Sequence, residues 1–211
     1  MARLNVNPTR MELSKLKGRI KTARRNHKLL KDKRDELMKQ FLEIVRQNRD
    51  LRIKVEEALM RAHGSFTVAS AVMSPEMLEQ SLIYPKQSVS LGISYKNIMS
   101  VNVPRYEYQT ETADASEIFP YGFAMTSGEL DDAVSELSQI LTDMLKLAEI
   151  EKSVQLLAQE IEKTRRRVNA LEYVMIPQLA ETIKYIKMKL DENERSNTIR
   201  LMKIKDMMIA E

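Results

Sequence analysis

No cysteine and no tryptophan occur in the 211 residues, glycine is limited to five and proline to six. Without cysteine there can be no disulfide and no thiolate metal ligand, and a reducing cytosol is the natural compartment. The only histidines, His27 and His63, lie too far apart on one expected helix to share a site within one chain. No glycine-rich phosphate loop, His–carboxylate cluster or nucleophile constellation occurs, so no catalytic, cofactor or metal site is expected. The first twenty residues hold no apolar stretch of signal-peptide length, and nowhere do about 18 apolar residues run together, as a membrane span requires. A cytoplasmic protein, at most peripheral on a membrane, is expected.

Aromatic residues make up only 5%, which leaves few large anchors for a compact core. What the chain has instead is 30% charge and fourteen methionines among Leu, Ile, Glu, Lys and Arg, the composition of long helices or a coiled coil. From Leu13 apolar positions recur at alternating steps of three and four: Leu13, Leu16, Ile20, Ala23, then His27, Leu30, Arg34, Leu37, Phe41, Ile44, Asn48, Leu51, Val55, Ala58, Ala62. A seven-residue repeat keeps its seam aligned only in a left-handed supercoil. The count continues through Ser65 and Ala69 to Val72, so the helix survives Gly64 and ends near Met73, where Ser74-Pro75 supplies a stop and a new N-cap.

A second long helix opens at "TSGELDD", with Thr126 and Glu129 at capping-box spacing. Its seam runs Leu147, Ile150, Val154, Leu157, Ile161, Thr164, Val168, Leu171, Met175, then Leu179, Ile183, Ile186, Leu190, Asn193. Around Pro177 three consecutive steps of four insert a four-residue stutter, which unwinds a supercoil locally. A helix-interior proline removes a backbone bond at a cost of about 3 kcal/mol, so a kink at Pro177 is expected; a tolerated proline on the solvent face is the plainer alternative. Between the helices, "SPEMLEQSL" (74–82) predicts a short capped helix. "SVSLGISY" (88–95) and "KNIMSVNVP" predict a β-hairpin around a Lys96-Asn97 turn, with Val89, Leu91, Ile93 and Tyr95 on one face. Residues 105–122 have no period and predict a polar loop.

The expected fold is therefore mainly α. A long antiparallel left-handed two-helix coiled coil is built from an N-terminal helix (1–73) and a C-terminal helix (127–211), around a middle region (74–126) with the short helix, the hairpin and the polar loop. The C-terminal helix is the longer by about six turns. Its excess is expected around 130–150, for the hairpin or another protein.

Charge is unevenly placed. Residues 1–34 carry twelve Lys/Arg against Glu12 and Asp32, although the whole chain is only +4. Lys15, Lys21, Arg24, Arg25 and Lys28 flank the first seam. Arg165, Arg166 and Arg167 come toward the same tip in an antiparallel pair. A basic region leading into heptads is also found in zipper-type DNA readers. Here the basic stretch is itself part of the seam and no aromatics interleave it, so an acidic protein surface is the expected partner rather than nucleic acid, with a plain solvated charged face as the other reading. His27, on the seam, has two readings: a polar residue that sets register, as Asn48 would, or a pH-sensitive group or ligand. The methionines near the C-terminus, among them Met202, Met207 and Met208, suit gap-filling or an adaptable contact surface.

Two stretches, "NPTRMELSKLKGRIKTARRNHKLLKDKRDELMKQF" (7–41) and "RRRVNALEYVMIPQLAETIKYI" (165–186), with "SYKNIMSVNVP" (94–104) between them, resemble the D subunits of V-type rotary ATPases. The resemblance implies a non-catalytic rotor shaft without cofactor. It would sit inside a ring of catalytic and regulatory subunits, clasped by the small F subunit and joined by a funnel-like subunit to a membrane rotor that moves H⁺ or Na⁺. The basic residues named above would then face acidic loops of the ring, and Pro177 would shape the shaft. A prefoldin-like chaperone, which also flanks a hairpin with an antiparallel coil, and a coiled-coil tether are the alternatives. The long terminal helices, the basic tip and the interrupted heptads speak for the shaft.

Overall fold

The computed structural model describes residues 3–111, 118–122, 124 and 126–209. In chain order it forms helix α1 (Arg10–Val72), helix α2 (Pro75–Leu82), strands β1 (Ser88–Ile98) and β2 (Val101–Glu111), and helix α3 (Gly128–Ala170). A π turn (Leu171–Met175) and helix α4 (Ile176–Ile209) complete it. The fold divides into two compact units: the residues up to Glu36 with those from Ile161 onward, and Leu37–Glu160.

In the first unit α1 starts three residues before its first seam leucine. Thr9 caps it by accepting the Glu12 N–H at 3.2 Å, while Leu13 N–H bonds the Thr9 carbonyl at 3.0 Å. "TRME" is thus a T-x-x-E start, with Glu12 in the turn where the helix dipole favours an acid. Leu16 and Ala23 are buried with Leu179 and Ile186, and Leu13, Ile20, Leu171, Ile176, Ile183 and Leu190 are half-buried around them. A fully buried leucine contributes about 1.5–3 kcal/mol, and two helices without a third layer depend on a few such residues. Arg10 pairs with Glu194 and His27 with Glu172, so the helices run antiparallel. Residues 3–9 fold back along α4. Leu4 N–H donates to Thr182 Oγ1 at 3.2 Å, and the Arg3 guanidinium lies 4.5 Å from the centre of the Tyr185 ring.

The irregularity near Pro177 differs in kind from the expected stutter. Met175 is not in the seam but 43% exposed. The seam passes from Leu171 to Ile176 and then resumes through Leu179, Ile183, Ile186 and Leu190. That single step of five joins the same two residues as the π bond, from Ile176 N–H to the Leu171 carbonyl. A π turn closes its hydrogen bond over five residues rather than four, so it removes one residue from the register and returns the following heptads to the partner. The unmatched length is also elsewhere than expected. Every described residue of α4 beyond Leu190 is exposed, because α1 begins opposite Glu194 and the preceding residues turn back.

In the second unit, Val55 and Ala62 of α1 are buried with Ile140, and Ala69 and Met73 with Leu130. Residues 130–150 are therefore covered by α1 and are not the free excess, although the hairpin does meet this stretch, at Glu149, as expected. The expected seam residue Val72 is 71% exposed and Met73 is buried in its stead, since the helix ends there and the chain turns into the Ser74 cap. Ser74 Oγ accepts the Met77 N–H at 3.4 Å with Pro75 at the first helical position. The Thr126–Glu129 capping box is not formed. α3 starts at Gly128, which puts Glu129 one position too early for it, and Thr126 Oγ1 donates to the Gly122 carbonyl instead. Tyr121 donates to Asp131 at 2.8 Å. Burial, followed by this bond, pushes its phenol well above the ordinary tyrosine value.

β1 and β2 pair antiparallel from Ser88↔Glu111 to Ile98↔Val101. The turn is Met99-Ser100, not Lys96-Asn97, with φ of 49° and 73° at its two central residues, as a type I′ turn requires. Asn97 reinforces it: Oδ1 accepts the Ser100 N–H at 3.0 Å and Nδ2 donates to Asn102 Oδ1 at 2.8 Å. Residues 105–111, expected as loop, complete β2; 112–117 lie outside the described residues. Val101 and Val103 are buried, and the hairpin is tied to α3 by Tyr106 N–H, which donates to Glu149 Oε2 at 3.0 Å. Leu91, Ile93 and Tyr95, expected on one apolar face, are exposed.

Candidate partner interface

The basic residues singled out from the sequence all fall in the first unit, and all are exposed. Lys15, Lys21, Arg24, Arg25 and Lys28 lie on α1, and Arg165, Arg166 and Arg167 on the last turns of α3, where positive charge suits the carbonyl end of the helix dipole. The cross-helix pair of His27 Nε2 with Glu172 Oε2, at 3.3 Å, sets the level. Arg167 precedes Glu172 by five residues, so in an antiparallel pair the arginines stand level with about residues 32–34. Arg24, Arg25 and Lys28 are their nearer candidates and Lys15 the most distant. His27 is half-buried, and its ring ties the two helices together at the π turn, which fits its register-setting reading. Lys15 bonds Glu12 at 3.0 Å and Arg166 pairs with Glu162, both on exposed faces where an ion pair is worth about 0–1 kcal/mol. Such contacts exchange readily for a partner's carboxylates.

Sequence reasoning missed a groove beside these charges. α1 supplies Lys15, Gly18 and Arg19 at its rim, and Leu171, Met175 and Leu179 form the apolar side, around a volume of about 590 Å³. Gly18 sits well inside α1, and a Cβ built there meets nothing within 4 Å. Glycine in a helix interior costs roughly 0.5–1 kcal/mol against alanine, so packing within this chain does not account for it. The signals were present in the sequence as a glycine among helix formers, one of two within α1, and three consecutive steps of four.

Among the described residues no group of three or more His, Asp or Glu is placed to hold a metal ion. No described helix is long and apolar enough to cross a membrane.

The family of ATP synthase D subunits matches residues 12–206. A V-type ATP synthase D subunit of Acetivibrio thermocellus is 67% identical over 211 residues, covering 100% of this chain and 95% of the relative. The D subunit of Clostridioides difficile is 63% identical over 209 residues, covering 99% and 94%. That of Clostridium novyi is 58% identical over 212 residues, covering 100% and 98%. With agreement along essentially its whole length, the chain belongs to the D-subunit family of V-type ATP synthases.

Proposed function

We propose that this chain is the central rotor axis of a V-type ATPase on the cytoplasmic face of a membrane. It is a non-catalytic subunit that transmits torque between ATP turnover in a ring of catalytic and regulatory subunits and H⁺ or Na⁺ transport through a membrane rotor. Its further partners on this reading are the small F subunit and a funnel-like subunit leading to the rotor. The observation that carries the reading is the end-to-end match to D-subunit relatives. The physical features agree with it. Helix α1 is unbroken through 63 residues, and the basic residues of the first unit are concentrated on α1 and the end of α3. An asymmetric axis can bias chemically identical catalytic sites into different states by differential contact energy.

On this reading Lys15, Lys21, Arg24, Arg25, Lys28, Arg165, Arg166 and Arg167 face acidic loops of the ring. The exposed apolar residues of α4 beyond Leu190, including Met202, Met207 and Met208, supply an adaptable bearing surface. Pro177, next to the π turn, shapes the axis within the ring. The test is charge reversal of the three consecutive arginines to glutamate in the assembled complex. ATP-driven ion pumping should fall relative to ATP turnover, or assembly should weaken; unchanged pumping and turnover would refute the assignment.

A further inference from the structure

We propose that the groove between α1 and the π turn receives an apolar side chain carried on an acidic segment of a partner subunit. This rests on the reading of the chain as a stalk subunit only for the choice of complex in which to look. Four observations converge. The π turn holds Met175 out of the seam and 43% exposed at the groove. Leu171 and Leu179, both seam residues, give the groove an apolar floor beside the exposed Met175. At Gly18, which also lines the groove, an added Cβ would meet no atom within 4 Å beyond its chain neighbours and the helix's own turn. Lys15, whose ammonium also bonds Glu12 on an exposed face, and Arg19 line the groove, and none of its lining residues is acidic.

The apolar floor selects an apolar anchor, and the cationic rim selects carboxylates beside it, in the manner of a central anchor with a polar surround. A volume of about 590 Å³ is ample for one large side chain and its flanking backbone. The close approach that Gly18 allows is toward the partner's main chain.

The absence of cysteine gives a clean background for the test. Thr22→Cys, which lines the groove, is labelled on the isolated chain with a short photoactivatable maleimide before assembly into the complete complex, and after illumination the adduct peptide is sequenced. The expected adduct is a peptide of another subunit with an apolar residue flanked by Asp or Glu. Adding Gly18→Met should lower its yield about tenfold by filling the groove, while Gly18→Ala should not. Far-UV circular dichroism of the free chain checks that both substitutions leave the helices intact. A peptide without carboxylates, a second copy of this chain, no adduct, or a yield indifferent to Gly18→Met would each overturn the proposal. A separate label at Arg166→Cys reports whether the basic face meets the ring. Its failure would count against the stalk assignment and leave the groove result to be judged by itself.

Discussion

Deleting Tyr173 should reveal what the π turn does for Pro177. Tyr173 lies in the turn with its side chain 63% exposed, so its loss removes little buried surface. Without it the step from Leu171 to Ile176 becomes four residues. Ile176, Leu179, Ile183, Ile186 and Leu190 then fall on an uninterrupted heptad, still facing α1. The packing set is preserved, but Pro177 now stands inside a regular α ladder. There its ring meets the carbonyl four residues back and its missing N–H leaves that carbonyl without a partner, at about 3 kcal/mol. For a chain of this size that corresponds to a melting-temperature loss of roughly 6–12 °C.

Adding Pro177→Ala to the deletion should recover most of the loss, whereas Pro177→Ala in the intact chain should change stability by less than about 1 kcal/mol. The assay is thermal and urea unfolding of all four proteins by far-UV circular dichroism, treated as a double-mutant cycle. A coupling of about 2–3 kcal/mol is expected from the difference between the two proline effects. If Pro177→Ala has the same effect in both backgrounds, within about 0.5 kcal/mol, the π turn does not accommodate the proline and the account fails.

Leu16→Ala, at a position 1% exposed in the first unit, should cost about 2–5 kcal/mol in urea unfolding, against about 0.5 kcal/mol or less for the exposed Leu29→Ala. Thr182→Val removes the acceptor that holds Leu4 N–H, so amide exchange at Leu4 should accelerate while exchange within α1 near Leu16 stays slow. Tyr121 has a folded-state value raised above that of the unfolded chain. Its contribution should be fully present below about pH 10 and lost as pH rises further. Tyr121→Phe should flatten that part of the stability curve, and an unchanged alkaline slope would count against the burial of the phenol.

Much of this protein was legible in one dimension because its elements are long and periodic. The seam from Leu13 to Ala69 is half-buried or buried as its spacing requires, and Ser74-Pro75 caps α2. Local chemistry was less secure wherever two neighbours could do the same task. "TSGELDD" offers two start points for a helix, and only the packed chain chose Gly128. The Met99-Ser100 turn has no Gly, Asn or Asp at its centre, so its place is decided by the pairing of eleven-residue strands and by the Asn97 side chain.

By itself the sequence determined two long amphipathic helices, their antiparallel pairing, the hairpin between them and the concentration of positive charge, since each follows from period, composition or order along the chain. Tertiary structure decided the register. Whether three steps of four mean a four-residue stutter or one residue removed by a π turn depends on which side chains face α1, and no single-helix period contains that information. The groove is a consequence of the same decision. It exists only because the π turn sets Met175 aside, opposite a glycine that lies more than 150 positions away in sequence.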